Sequence, residues 1–181
     1  MGWELRFMEW GNGWWGCLVL DQAIPWITHL GSLLAVLIFI TVSCVIVRRK
    51  RTILTLLFIY GILAWTVYGL KYLIARPRPF QILGMTQALT HSRAEVIDPS
   101  FPSAHSAYAF MMATLLAHWF PKYRVLFYAL AGLIGWTRIY LFLHFPTDVI
   151  TGGLLGYGVT KITLHFVSES PVSNRDLKNR H

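Results

Sequence analysis

Hydrophobic positions in this chain fall in long blocks instead of alternating or half-face stripes. Five blocks come near the roughly 20 residues that a helix needs to cross a hydrocarbon core about 30 Å thick. They lie at about residues 24–47, 53–75, 103–120, 124–143 and 147–167. The pattern predicts an all-α integral membrane protein, a bundle of about five transmembrane helices forming a single domain over 1–181. Residues 1–22 differ: Trp3, Trp10, Trp14 and Trp15 are mixed with Glu4, Arg6 and Glu9. Too short to span, this stretch is expected to be an amphipathic helix in the head-group region, an anchor with no catalytic part. The connections are unequal. Arg48 to Thr52 and Pro121 to Arg124 are tight basic turns, whereas 76–102 is the one long loop, a length that often carries function. The tail 168–181 is polar and expected to fray.

Composition supports the membrane reading. The chain is 55% hydrophobic with only 13% charged residues and a mean hydropathy of +0.51. A net charge of +8 would suggest nucleic acid in a soluble domain, but here the basic residues fall mostly in short connections, so no nucleic-acid partner is expected. An odd span number puts the termini on opposite sides. Arg48, Arg49, Lys50, Arg51, Lys122, Arg124, Lys161, Arg175, Lys178 and Arg180 lie on the C-terminal side. The positive-inside rule makes that side cytoplasmic and turns the long loop and the N-terminal helix outward. Cys17 and Cys44 show no CxxC or metal spacing and read as small buried hydrophobes. The N-terminus lacks the features of a secretory signal, so the first block should remain as a span.

Three polar motifs interrupt the apolar pattern, all at the outward ends of spans. Lys71 and Arg78 close the second block, with Pro77 and Pro79 expected to bend the chain after Ala75 and return Arg78 toward Lys71. Basic residues at a span end also snorkel, so this motif does not decide by itself. Pro102-Ser103-Ala104-His105 opens the third block; Ser103 is a candidate N-cap and His105 stands in the first turn, where free N–H groups face an anion. Thr137-Arg138 lies inside the fourth block, and His144 and Asp148 bracket Pro146 at the start of the fifth. An arginine at that depth costs about 2.5–3.5 kcal/mol on insertion scales and requires a partner or an anionic ligand. Asp148 is placed to accept a hydrogen bond from one His144 nitrogen, leaving the other its lone pair. His29, His91, His118 and His165 have no such company and read as structural.

The pieces K-x6-R-P (Lys71 to Pro79), P-S-A-H (Pro102 to His105) and T-R-x5-H-x3-D (Thr137 to Asp148) resemble the three-part signature of the type-2 phosphatidic acid phosphatase family, which also includes vanadium haloperoxidases. The resemblance covers residues 71–148. It implies His144 as nucleophile, Asp148 as its orienting carboxylate and His105 as general acid. Lys71, Arg78, Ser103, Ala104 and Arg138 would then bind the phosphate. The chain departs from the usual pattern at Ala104, where the family has Gly, and at Thr137, where it has Ser; both keep the needed N–H or hydroxyl. The resemblance further implies a lipid phosphate substrate such as lipid A 1-phosphate, phosphatidylglycerol phosphate or undecaprenyl pyrophosphate, in a bacterial inner membrane.

Phosphoryl transfer needs charge stabilisation and in-line groups, which three cations and two histidines supply. No cofactor and no metal are expected, because Glu95 and Asp98 in the loop lack a matching ligand set. Three rivals stay open: an anion transporter or channel, a zinc hydrolase using His105, His144 and Asp148, and a phosphotransferase acting on an acceptor lipid. Oligomeric state is open at this stage.

Overall fold

A computed structural model describes residues 2–15, 24, 26–47, 50–84 and 98–169. The expectations for Cys17, Arg48, Arg49, Glu95, the middle of the long loop and the polar tail lie outside these residues. Within them every regular element is helical: α1 (Trp3–Trp15), a 3-10 turn (His29–Gly31), α2 (Leu33–Val47), α3 (Lys50–Ile74), α4 (Pro79–Ile82), α5 (Ala104–Trp119), a second 3-10 turn (Pro121–Tyr123), α6 (Arg124–Tyr140) and α7 (Pro146–Glu169). Helices α3, α5, α6 and α7 stand at four of the five apolar blocks; the first block, 24–47, is instead broken by the 3-10 turn at His29–Gly31, and α2 fills only its later part. Among the described residues, only the helix beginning at Lys50 is long and apolar enough to cross a membrane by length and composition; Leu33–Ile46 is apolar but shorter. Length accounts for most of the difference: α2, α5 and α6 have 15, 16 and 17 residues. Helix α7 is longer, but Thr160 and Thr163 turn inward on it and are buried, which lowers its hydropathy.

Helix α5 is the hub, packing most extensively on α7 and α6. The α5–α7 approach is set by glycine. A Cβ at Gly152 would come within 2.3 Å of the Ser103 carbonyl oxygen, and one at Gly156 within 2.0 Å of that of Ala107. Bare backbone on α7 therefore lies directly against backbone on α5, the small-residue contact that lets helices close up without a hydrophobic drive between them. The interior is filled by Val36, Leu56, Ile59, Leu63, Tyr108 and Met111. Outside, Trp65, Leu73, Val125, Ile150 and Phe166 are exposed, a belt of large apolar side chains that a water-soluble monomer does not carry.

One end of the bundle gathers the polar motifs. Helix α3 stops at Ile74; Ala75 adopts φ +48° and its N–H closes on the Lys71 carbonyl at 2.8 Å, after which Pro77 and Pro79 redirect the chain. At the far end of α3, Arg51 donates to the Val167 carbonyl at 2.7 Å. Lys71 lies 20 residues further on, roughly 30 Å along a helix. The basic turns and the polar motifs thus occupy opposite ends.

Helix α1 is amphipathic as expected. Leu5 and Met8 bury against Phe142 and Phe145, while Trp3 and Trp10 are exposed. It is more than an anchor, however. Glu4 accepts hydrogen bonds from the Thr147 N–H at 3.1 Å and the Thr147 hydroxyl at 2.7 Å, and it pairs with Arg76. In the sequence Glu4 is only one of three charges, with Arg6 and Glu9, that break the Trp-rich stretch.

Candidate active site

The reversal between α6 and α7 delivers the histidine. Phe142 takes φ +55°, a conformation a bulky L residue adopts only under constraint. The Leu143 and His144 amides both donate to the Arg138 carbonyl, at 3.1 and 3.2 Å. His144 is thereby held in a fixed pose, and its side chain is buried. Its Nδ1 lies 2.7 Å from the Ser100 carbonyl oxygen, a geometry in which only Nδ1–H can donate. Nε2 keeps its lone pair and sits 3.3 Å from an Arg78 Nη.

This corrects one expectation. Asp148 Oδ2 is 3.8 Å from His144 Nδ1, too far for the hydrogen bond foreseen between them. The carboxylate is occupied otherwise: Oδ2 accepts from the Ser100 hydroxyl and from the Phe145 N–H at 2.9 Å, and Oδ1 accepts from Arg76 at 2.6 Å. Asp148 is fully buried, so these donors compensate for lost water. It acts on His144 through Ser100, whose hydroxyl it holds and whose carbonyl holds the ring. Ser100 and Arg76 were missed in the sequence. Ser100 stands two residues before Pro102 in P-S-F-P-S, and Arg76 two before Arg78 in R-P-R-P; proximity to the motifs was the only signal available.

Ser103 caps α5, accepting from the Ser106 N–H at 3.4 Å and the Ser106 hydroxyl at 3.0 Å. Both bonds use Ser103 Oγ as acceptor, leaving its proton for another oxygen. The Ser103 N–H donates to the Asp148 carbonyl at 3.0 Å, which joins the starts of α5 and α7. Ala104 and His105 form the first turn of α5. His105 is half-buried and near enough to Arg138, His144 and Arg78 to feel their charge.

The three cations converge. Arg78 is buried and donates to the Leu143 carbonyl at 2.8 Å; Lys71 is buried at the end of α3. Arg138 on α6 donates to the Thr28 hydroxyl at 2.7 Å, and its buried Nε has no partner among the described residues. A desolvated N–H of that kind can donate to an anionic oxygen. In the sequence Asp98 is a loop carboxylate without a matching set of metal ligands. Its carboxylate instead bridges Lys71 at 2.9 Å and Arg78 at 2.8 Å. Burial raises its proton affinity, but bonds from Lys71 and Arg78 outweigh this and hold the carboxyl below its usual range. Burial also pulls Arg78 below its ordinary value, with Asp98 offsetting part of the shift. Burial, reinforced by Arg78, Arg138 and Lys71, keeps the His144 imidazole far below its ordinary pKa and so neutral. No group of three His, Cys, Asp or Glu side chains with metal-binding spacing occurs among the described residues. Of the remaining histidines, His29 opens the 3-10 turn whose Gly31 lies against the His105 main chain, and His118 lies at the end of α5, the opposite end of that helix from His105.

Comparison with known proteins gives the same grouping. Residues 52–171 match the PAP2 superfamily. The undecaprenyl-diphosphatase of Sulfolobus acidocaldarius is 31% identical over 137 residues, 74% of this chain and 64% of that protein. The lipid A 1-phosphatase of Rhizobium johnstonii is 38% identical over 96 residues, 52% of this chain and 39% of that protein. The chain thus spans less than two thirds of the length of these curated relatives. Among solved structures, LpxE of Aquifex aeolicus superposes with a TM-score of 0.77 at 28% identity, covering 91% of this chain and 96% of that one.

Proposed function

The chain belongs to the PAP2 superfamily, and on that premise we propose that it is a membrane lipid phosphatase that works through a phosphohistidine. The observation that carries the reading is the His144 ring: Nδ1–H is committed to the Ser100 carbonyl and Nε2 is left as a lone pair against Arg78. His144 Nε2 attacks phosphorus, and His105 gives its proton to the leaving oxygen as the P–O bond breaks. Water then attacks the phosphohistidine, His105 takes its proton, and inorganic phosphate leaves. Lys71, Arg78 and Arg138, with the Ser103 hydroxyl and the Ala104 amide, neutralise the charge on the phosphoryl oxygens. Asp148 holds Ser100 and so the ring. The chemistry is metal-independent on this reading, since the charge a metal would supply is already present as side chains.

The site lies at one end of a bundle with an apolar outer belt, so the natural substrate is a lipid with its phosphate at head-group depth. Five helices crossing a bacterial inner membrane, with the site toward the periplasm and outer leaflet, fit the basic residues at the other end. The relatives named for undecaprenyl diphosphate and lipid A suggest a terminal phosphate on an isoprenoid or glycolipid. Lipid A 1-phosphate and phosphatidylglycerol phosphate are the first substrates to test. Phosphate release from these and from undecaprenyl pyrophosphate, measured in detergent with EDTA and with His144→Ala as blank, tests the proposal. Release from at least one lipid in EDTA is expected; release from none, or activity retained in His144→Ala, would refute it.

A further inference from the structure

Lys71 and Arg78 are already occupied by a carboxylate of the same chain. Asp98 offers one oxygen to each, at 2.9 and 2.8 Å, while its own side chain is 38% exposed. Its main-chain carbonyl takes Arg78 Nε at 2.9 Å, and the Pro99 carbonyl takes Lys71. Asp98 also lies two residues before Ser100, whose carbonyl fixes His144 and whose N–H is held by the Arg76 carbonyl at 2.8 Å. The carboxylate is thus anchored from behind at Ser100 and open to solvent in front. The third cation is different: Arg138 keeps its buried Nε without a partner among the described residues, while Asp98 satisfies the other two.

We propose that Asp98 is a resident anion in the phosphate subsite, an internal competitor that phosphomonoesters and terminal diphosphate groups displace and that phosphodiesters do not. This rests on the phosphatase reading above and adds a selection rule to it. A phosphodiester carries one negative charge and two free oxygens, the same as a carboxylate. It would replace the Asp98 contacts with equivalent ones and leave Arg138 unmet. The tethered carboxylate also competes at an effective concentration on the order of millimolar or above. A monoester phosphate carries about −1.5 to −2 charges near neutral pH and three oxygens, one for each cation. The distinction matters because the surrounding lipid consists largely of phosphodiesters at the same depth. An open tricationic pocket would be filled by them.

The test compares the wild-type chain with Asp98→Asn and Asp98→Ala in mixed micelles, with a lipid phosphomonoester as substrate and phosphatidylglycerol as added diester. In the wild type, the diester should inhibit weakly, by surface dilution alone. In either variant it should become a competitive inhibitor at least about tenfold tighter, and orthophosphate inhibition should tighten by a similar factor. Unchanged or weaker inhibition in the variants would overturn the proposal and make Asp98 a positioning residue for the two cations. Should either variant be unstable by itself, added orthophosphate should restore its thermal midpoint toward that of the wild type, because it replaces the missing anion; no such recovery would overturn the proposal. Orthophosphate binding read by thermal shift, without turnover, separates this outcome from failure of the phosphatase reading: a wild type that hydrolyses nothing sinks the latter, whereas equal phosphate shifts in wild type and variants sink the former.

Discussion

A histidine buried beneath three cations stays neutral where an exposed one would be protonated, and this has two consequences for His144. Its lone pair remains available in mild acid, so the acid limb of kcat/KM, which reports the free enzyme, should have its midpoint below about 6.5. A profile whose acid limb falls at or above that value would contradict the environment described. The same burial acts on stability with a definite sign. Below about pH 6.5 the unfolded chain binds a proton at this position that the native chain refuses, so the thermal midpoint should decline as pH falls through that value toward the native pKa. Replacing His144 by Asn should flatten part of this decline. Ser100 matters here for its main chain as much as its hydroxyl. Ser100→Ala removes the bond to Asp148 but not the carbonyl that sets the tautomer, and should cost far less activity than His144→Ala.

Among the elements, the start of α7 decides the geometry, because glycine brings it onto α5. Gly156→Ala would put a methyl group 2.0 Å from the Ala107 carbonyl oxygen and should destabilise by about 1–3 kcal/mol or more as the helices separate. Gly158, two residues on, has nothing within 4 Å of the corresponding position. Gly158→Ala should be neutral or stabilise by up to about 1 kcal/mol through helix propensity. Thermal unfolding in detergent compares the two, and equal effects would refute the close α5–α7 contact. This contact shows where sequence reading stops. The apolar blocks announced all five long helices, the prolines their bends and Ser103 its cap, because each is a local property of consecutive residues. The three signature pieces drew attention to His105, His144 and the cations, which the fold brings to one end of the bundle. The bond between Ser100 and His144, the reach of Arg76 and Glu4 to Asp148 and Thr147, and the bridge made by Asp98 are contacts across 20 to 143 positions. No local pattern encodes which of several loop carboxylates meets which cation. The i,i+4 spacing of His144 and Asp148 implies a direct bond between them, which the turn at Phe142 and Pro146 does not honour.

At the scale of the molecule, the polar cluster lies at one end and the basic turns at the other, and orientation in the membrane follows from that separation. With Cys17 and Cys44 replaced, a cysteine at Gly84 should react with an impermeant thiol reagent applied to intact cells. One at Lys122, in the turn joining α5 and α6, should react only after the membrane is opened. The reverse pattern would place the site on the cytoplasmic face. The account rests finally on one covalent bond, between His144 Nε2 and the phosphorus of a lipid phosphate. Rapid quenching of the enzyme with a 32P-labelled lipid phosphomonoester, followed by peptide mapping in alkali, looks for that bond directly. The account predicts label on the peptide carrying His144, stable in base, lost in acid and absent from His144→Ala. Turnover without any such label, or label on another residue, would contradict it.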